Sequence, residues 1–134
     1  MEKLIENILN KSKKDKDILA VALFGSYARG EPYRDIDICI FLKKKLSNLE
    51  MSNKRIKLLS IVNNKLDIQI FQQLPLYIRT RILKEGKIIL SKNLNNLYEL
   101  AFLTIKEFDS YKQLYYMCLK EVENGPRKNK IKIK

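Results

Sequence analysis

The chain has 134 residues, enough for one small domain, and its 46% hydrophobic and 31% charged content is an ordinary globular balance with no apolar run near the roughly 20 residues that span a bilayer. It contains no histidine, which excludes Ser-His-Asp and Cys-His nucleophile systems, a histidine general base and every zinc site that needs imidazole. Lysine and arginine number 27 against 15 acidic residues, a formal charge of +12, which suits anionic partners or a solvated lysine coat.

The N-terminal stretch MEKLIENILNKSKKDKD is charged throughout and does not read as a secretory signal, so the expected address is cytoplasmic, with no membrane association. Residues 2–14 place Leu4, Ile5, Ile8 and Leu9 on one face of an amphipathic helix. Ile18 to Phe24 (ILAVALF) is a short apolar run bounded by Gly25, as expected of a strand buried on both faces. Gly25-Ser26, followed by Tyr27-Ala28-Arg29-Gly30, reads as a glycine turn and the start of a helical turn. Asp35 to Leu42 (DIDICIFL) alternates, with Asp35, Asp37, Cys39 and Phe41 on one face and Ile36, Ile38, Ile40 and Leu42 on the other.

Ser47 and Glu50 form a capping-box pattern that opens a helix to about residue 64, with Met51, Leu58, Leu59 and Val62 inward. Leu66 to Phe71 (LDIQIF) alternates again. Pro75 starts a short helix to Glu85, ended by Gly86, and Lys87 to Leu90 is a final strand. A long helix then runs from about Asn96 to Val122 and stops at Gly125-Pro126, before a basic, loose tail over residues 125–134. The order predicts one domain over residues 1–124, an α/β layer structure with a small mixed sheet, flanking helices and a long C-terminal helix. Cys39 and Cys118 are far apart and in no CxxC, so both are expected as reduced thiols.

Three features at strand ends carry chemistry. Gly25-Ser26 directly after a buried strand presents backbone N–H groups where phosphate oxygens bind, and the Ser26 hydroxyl adds a donor; Arg29 adds a charged contact or holds the loop. Asp35 and Asp37, at i and i+2, lie on one face of a strand about 7 Å apart at the backbone, where both carboxylates can reach one hard cation such as Mg²⁺. Asp67 stands on the next alternating strand. If that strand neighbours the first, half of the chain's six aspartates share one site. Three carboxylates can hold two divalent ions about 3.5–4 Å apart, as in nucleotidyl transfer.

The stretches LFGSYARGEPYRDIDICIFL and KLDIQIF resemble the minimal nucleotidyltransferases of the DNA polymerase β superfamily, and LPLYIRTRILKEGKIIL is similar to the helix and strand that follow there. The loop Glu31-Pro32-Tyr33-Arg34 leading into Asp35 is shorter than is usual in that family. The resemblance implies a polymerase-β-like fold, ATP as substrate and two Mg²⁺ ions. It implies Asp35, Asp37 and Asp67 as metal-binding catalytic residues, and Gly25, Ser26 and Arg29 as nucleotide-binding residues.

Stand-alone chains of this size resemble the antitoxin half of HEPN/MNT toxin–antitoxin pairs. In that family the small transferase adds AMP to a tyrosine of a HEPN ribonuclease toxin, so a HEPN-type partner is implied, without direct nucleic-acid binding. The competing readings are a non-enzymatic module that silences its partner by contact, and a transferase acting on a small molecule. Of the aromatics on the last helix, the Phe108, Tyr111 and Tyr115 stripe is expected in the core, with Tyr98 and Tyr116 on the surface. Cys39 is expected to pack beneath the carboxylates, and Cys118 in the core or an interface.

Overall fold

The computed structural model describes residues 2–62 and 65–124. The chain runs α1 (Glu2–Lys14), β1 (Ile18–Phe24), α2 (Gly25–Ala28), β2 (Ile36–Leu42), α3 (Asn48–Leu59), β3 (Leu66–Ile70), α4 (Leu76–Glu85), β4 (Lys87–Ser91) and α5 (Leu94–Asn124), with a 3-10 turn at Phe71–Gln73. The sheet order is β3-β2-β1-β4. β1 pairs antiparallel with β2 and β4, while β2 and β3 are parallel, so the sheet is mixed as the element order predicts.

Alternation along the strands feeds two cores. Ile36, Ile38, Ile40 and Leu42 of β2 pack with Ile8 of α1 and Met51 and Leu58 of α3 on one face. Cys39 and Phe41 pack with Phe71, Ile82 of α4 and Leu97 of α5 on the other. The Phe41 and Phe71 rings stack with centroids 4.4 Å apart. β1 is apolar on both sides because it lies inside the sheet with helices over each face, and Ile18 to Ala22 are fully buried.

Local signals set several boundaries. At Ser47 both halves of the capping box form: its hydroxyl accepts from the Glu50 amide and the Glu50 carboxylate from the Ser47 amide, each at 3.1 Å. The regular helix ends at Leu59, short of the expected residue 64. Gly86 does end α4, but at φ −72°, so it is not a left-handed cap. A side chain there would press on the carbonyls of Ile82 and Leu23, and glycine is used for close approach. The Gly125-Pro126 stop and the basic tail lie outside the described residues.

The last helix departs most from expectation. Leu97 and Thr104 are buried and Leu100 and Phe108 partly so, but Tyr111 and Tyr115, expected in the core, are exposed along with Tyr98 and Tyr116. Cys118 is exposed as well. The reason is length: 31 residues span about 46 Å at 1.5 Å per residue. The sheet's strands have at most seven residues, so the C-terminal half of α5 runs past the body it packs on. Among the described residues, no helix is long and apolar enough to cross a membrane.

Candidate active site

The site is built where β1 ends, β2 begins and β3 runs beside it. Antiparallel pairing sets Phe24, the last residue of β1, opposite Asp37. Parallel pairing sets Asp37 beside Asp67 in register. Asp35 precedes β2 and is exposed, whereas Asp37 and Asp67 are half-buried. The alternation of β2 puts Asp37 on the face of Cys39 and Phe41, toward α4. Cys39 lies fully buried one position deeper, and burial pushes its thiol well above the ordinary value, so it is packing material below the carboxylates.

Gly25 is the second determinant. Its φ is +76°, a conformation that costs other L-residues energy. A Cβ on it would overlap the Asp37 carboxylate. Glycine is thus required twice, for the turn and for the space that the carboxylate fills. The turn it opens, Gly25–Ala28, has no side chain capping its N-terminal amides, which leaves them open to incoming acceptors. The Tyr27 and Tyr33 rings meet edge to face at 4.8 Å and draw the short loop before Asp35 back onto this turn.

The electrostatics separate the three aspartates. Burial and the neighbouring Asp67 and Asp35 charges raise the Asp37 pKa above its ordinary value, with Arg29 opposing them. Asp67 has other company: the Gln69 side-chain amide donates to it at 3.3 Å, and the Arg55 guanidinium lies 3.7 Å away. Arg55 is itself fixed by a 2.6 Å bond to the Ile68 carbonyl. Sequence reading missed Arg55. Gln69 carried a signal, since it shares the strand face of Asp67 two residues on.

A cleft of about 230 Å³ opens beside Asp37, lined by Phe24, Gly25, Ser26, Arg29, Ile78, Arg81, Ile82 and Glu85. It brings Gly25, Ser26, Arg29 and Asp37 together; Asp35 and Asp67 stand outside its lining. Arg29 is held by Glu31 at 3.1 Å and Glu85 at 3.3 Å. The donor set is all oxygen, which suits magnesium rather than a soft metal. Among the described residues no three acidic, histidine or cysteine side chains converge closely enough to enclose a cation unaided. The Asp67 and Asp35 charges that, with burial, raise the Asp37 pKa are nonetheless ones that a cation would relieve, and magnesium ordinarily completes its shell with water and phosphate.

Comparison with known proteins agrees with this geometry. The family model for "Polymerase beta, Nucleotidyltransferase" matches residues 5–95. A protein of Methanocaldococcus jannaschii, provisionally named a protein adenylyltransferase, is 38% identical over 79 residues, which cover 58% of this chain. The match spans 59% of that relative's length. Among solved structures, a chain from the complex of tri-AMPylated Shewanella oneidensis HEPN toxin with MNT antitoxin superposes with a TM-score of 0.65 at 21% identity, covering 92% of this chain and 99% of that one. A chain from a toxin–antitoxin structure with AMP-PNP gives 0.65 at 22% identity, covering 88% and 98%. At these identities the structures speak for the fold. With the family match covering more than half of the sequence, the chain belongs to the polymerase beta nucleotidyltransferase family.

Proposed function

We propose that this nucleotidyltransferase moves AMP from ATP to a tyrosine hydroxyl of a HEPN-type toxin and thereby acts as its antitoxin. The observation that carries the reading is Asp37, set in register beside Asp67 and directly under Gly25 at the mouth of a cleft. Its supports are the family membership, the relative named an adenylyltransferase, and the fold shared with chains of HEPN–MNT complexes.

In this reading the Gly25–Ser26 turn receives the phosphates through its open amides and the Ser26 hydroxyl. Asp35, Asp37 and Asp67 would hold divalent cations, which when bound would neutralise phosphate charge and acidify the acceptor hydroxyl. Asp67, half-exposed at the sheet edge, accepts the tyrosine proton while Arg55 and Gln69 fix its orientation. The tyrosine oxygen bonds to the α-phosphorus, the bond from that phosphorus to the bridging oxygen breaks, and pyrophosphate leaves.

The test is mass spectrometry of the partner after incubation with this chain, ATP and Mg²⁺. The expected result is AMP on tyrosine with wild type and none with Asp37→Asn. A second reading, silencing by contact alone, is favoured by the aromatic surface of α5, where Tyr98, Phe102, Tyr111, Tyr115 and Tyr116 are exposed. It predicts an inhibited, unmodified partner in a stable complex.

A further inference from the structure

The cleft beside Asp37 has two arginines, and they are not equivalent. Arg29 stands between two carboxylates, Glu31 at 3.1 Å and Glu85 at 3.3 Å, so this trio carries a net charge of −1. It offers no net attraction to a polyanion. Its pairing with Glu85 instead ties the end of α2 to the end of α4.

Arg81 is the other. On α4, Ile78, Arg81, Ile82 and Glu85 follow the i, i+3, i+4, i+7 spacing of one helical face, and all four line the cleft. Arg81 is exposed and has no carboxylate partner among the described residues. Glu85, one turn on, is the carboxylate that might have neutralised it, but Glu85 faces Arg29. The Arg-then-Glu order at i, i+4 is also the weaker one for a helical pair. Across the cleft stand Gly25 and Ser26.

We infer that Arg81 is the guanidinium that holds the outer phosphates of the nucleotide, and that Arg29 positions the turn instead of binding them. The inference rests on the nucleotide-transfer reading and assigns a further residue within its site. A guanidinium matches two phosphate oxygens at once.

Calorimetric titration of the full chain with MgATP, AMP and magnesium tripolyphosphate tests it, with thermal melts as the check on folding. Arg81→Ala should weaken MgATP and tripolyphosphate about tenfold or more, the scale of one charge-assisted contact, and leave AMP within about twofold. Arg81→Lys should recover part of the loss. Arg29→Ala should lower the melting temperature and weaken MgATP less than Arg81→Ala does. An Arg81→Ala protein that binds MgATP as wild type does, or that loses AMP equally, overturns the assignment while leaving nucleotide transfer standing. A wild-type chain that binds none of the three overturns the nucleotide reading and the assignment with it.

Discussion

Two Asp-x-Asp pairs lead into neighbouring strands of this protein, and the fold treats them oppositely. Asp15 and Asp17 precede β1; Asp35 precedes β2 and Asp37 is its second residue. The first pair is neutralised. Lys54 of α3 reaches Asp15 at 2.8 Å and Asp17 at 3.2 Å, the Asp17 amide donates to Asp15 at 2.9 Å, and Lys92 donates to the Asp15 carbonyl at 2.6 Å. Burial alone would raise the Asp15 pKa, but the Lys54 hydrogen bond and charge and the Asp17 amide outweigh it and leave the carboxyl below its ordinary value. The second pair receives a third carboxylate, and Asp37 is shifted the other way. Charged clusters whose members are satisfied hold structure together. A carboxylate held under the repulsion of its neighbours, as Asp37 is, is a candidate for a ligand site.

The largest contrast should appear in activity. If Asp37 holds a cation as proposed, Asp37→Asn removes a ligand worth several kcal/mol, and AMP transfer should fall about a thousandfold or more. Asp15→Asn should leave transfer within about twofold, although the motif looks the same. Quantitative mass spectrometry of the modified partner reads both, and equal losses would erase the distinction between the pairs.

Next comes the turn above the second pair. Gly25→Ala places a methyl group against the Asp37 carboxylate at a positive φ. MgATP should raise the melting temperature of the wild type; the substitution should cost roughly 1–3 kcal/mol of stability and abolish that rise. Gly30, also at φ +73° but with open space around it, should tolerate alanine with only the backbone cost of about 1 kcal/mol and an unchanged MgATP response.

Stability should rank the pairs in reverse. Lys54→Met strips both Asp15 and Asp17 of their partner and should cost about 1–3 kcal/mol in urea unfolding. Asp37→Asn relieves repulsion and should stabilise the apo protein by roughly 0.2–1 kcal/mol, the scale of a cross-strand pair.

Acid titration sharpens the same point. Asp15 has a lowered folded pKa, so its contribution is present above the ordinary aspartate value of 3.8 and is lost as the pH falls through the folded value. Asp37 has a raised folded pKa, so the apo fold gains stability as the pH falls from above that raised value toward 3.8. In melts from about pH 7 down to about pH 3, Asp15→Asn should lie below wild type and Asp37→Asn above it at neutral pH, and both differences should shrink on acidification, that of Asp37→Asn above pH 3.8 and that of Asp15→Asn only below it. A small effect is also expected at the far end of the molecule: Tyr116→Ala should weaken partner capture by at most about 1 kcal/mol, the alanine-scan threshold that most interface residues do not exceed, and leave nucleotide binding untouched.

Much of this was legible in the residues themselves. Period-two alternation in DIDICIFL and LDIQIF fixes which side chains share a face, and a one-residue error would have buried the aspartates' neighbours wrongly. The capping box at Ser47 and the glycine after ILAVALF are local and self-sufficient signals, because the chemistry that satisfies them lies within a few residues. What composition and spacing left open was decided by contacts between distant segments. That β3 lies parallel beside β2, with Asp67 opposite Asp37, depends on a crossover through α3. That α3 sends Lys54 to Asp15 and Asp17, and Arg55 to Asp67 beside the second pair, gives two motifs of identical spacing different surroundings. That Tyr111 and Tyr115 are bare follows from where the sheet stops beneath α5, which the Phe108, Tyr111 and Tyr115 stripe does not encode. Local sequence determines conformation and face; the charge a carboxylate feels depends on which distant group the tertiary fold brings within a few ångströms of it.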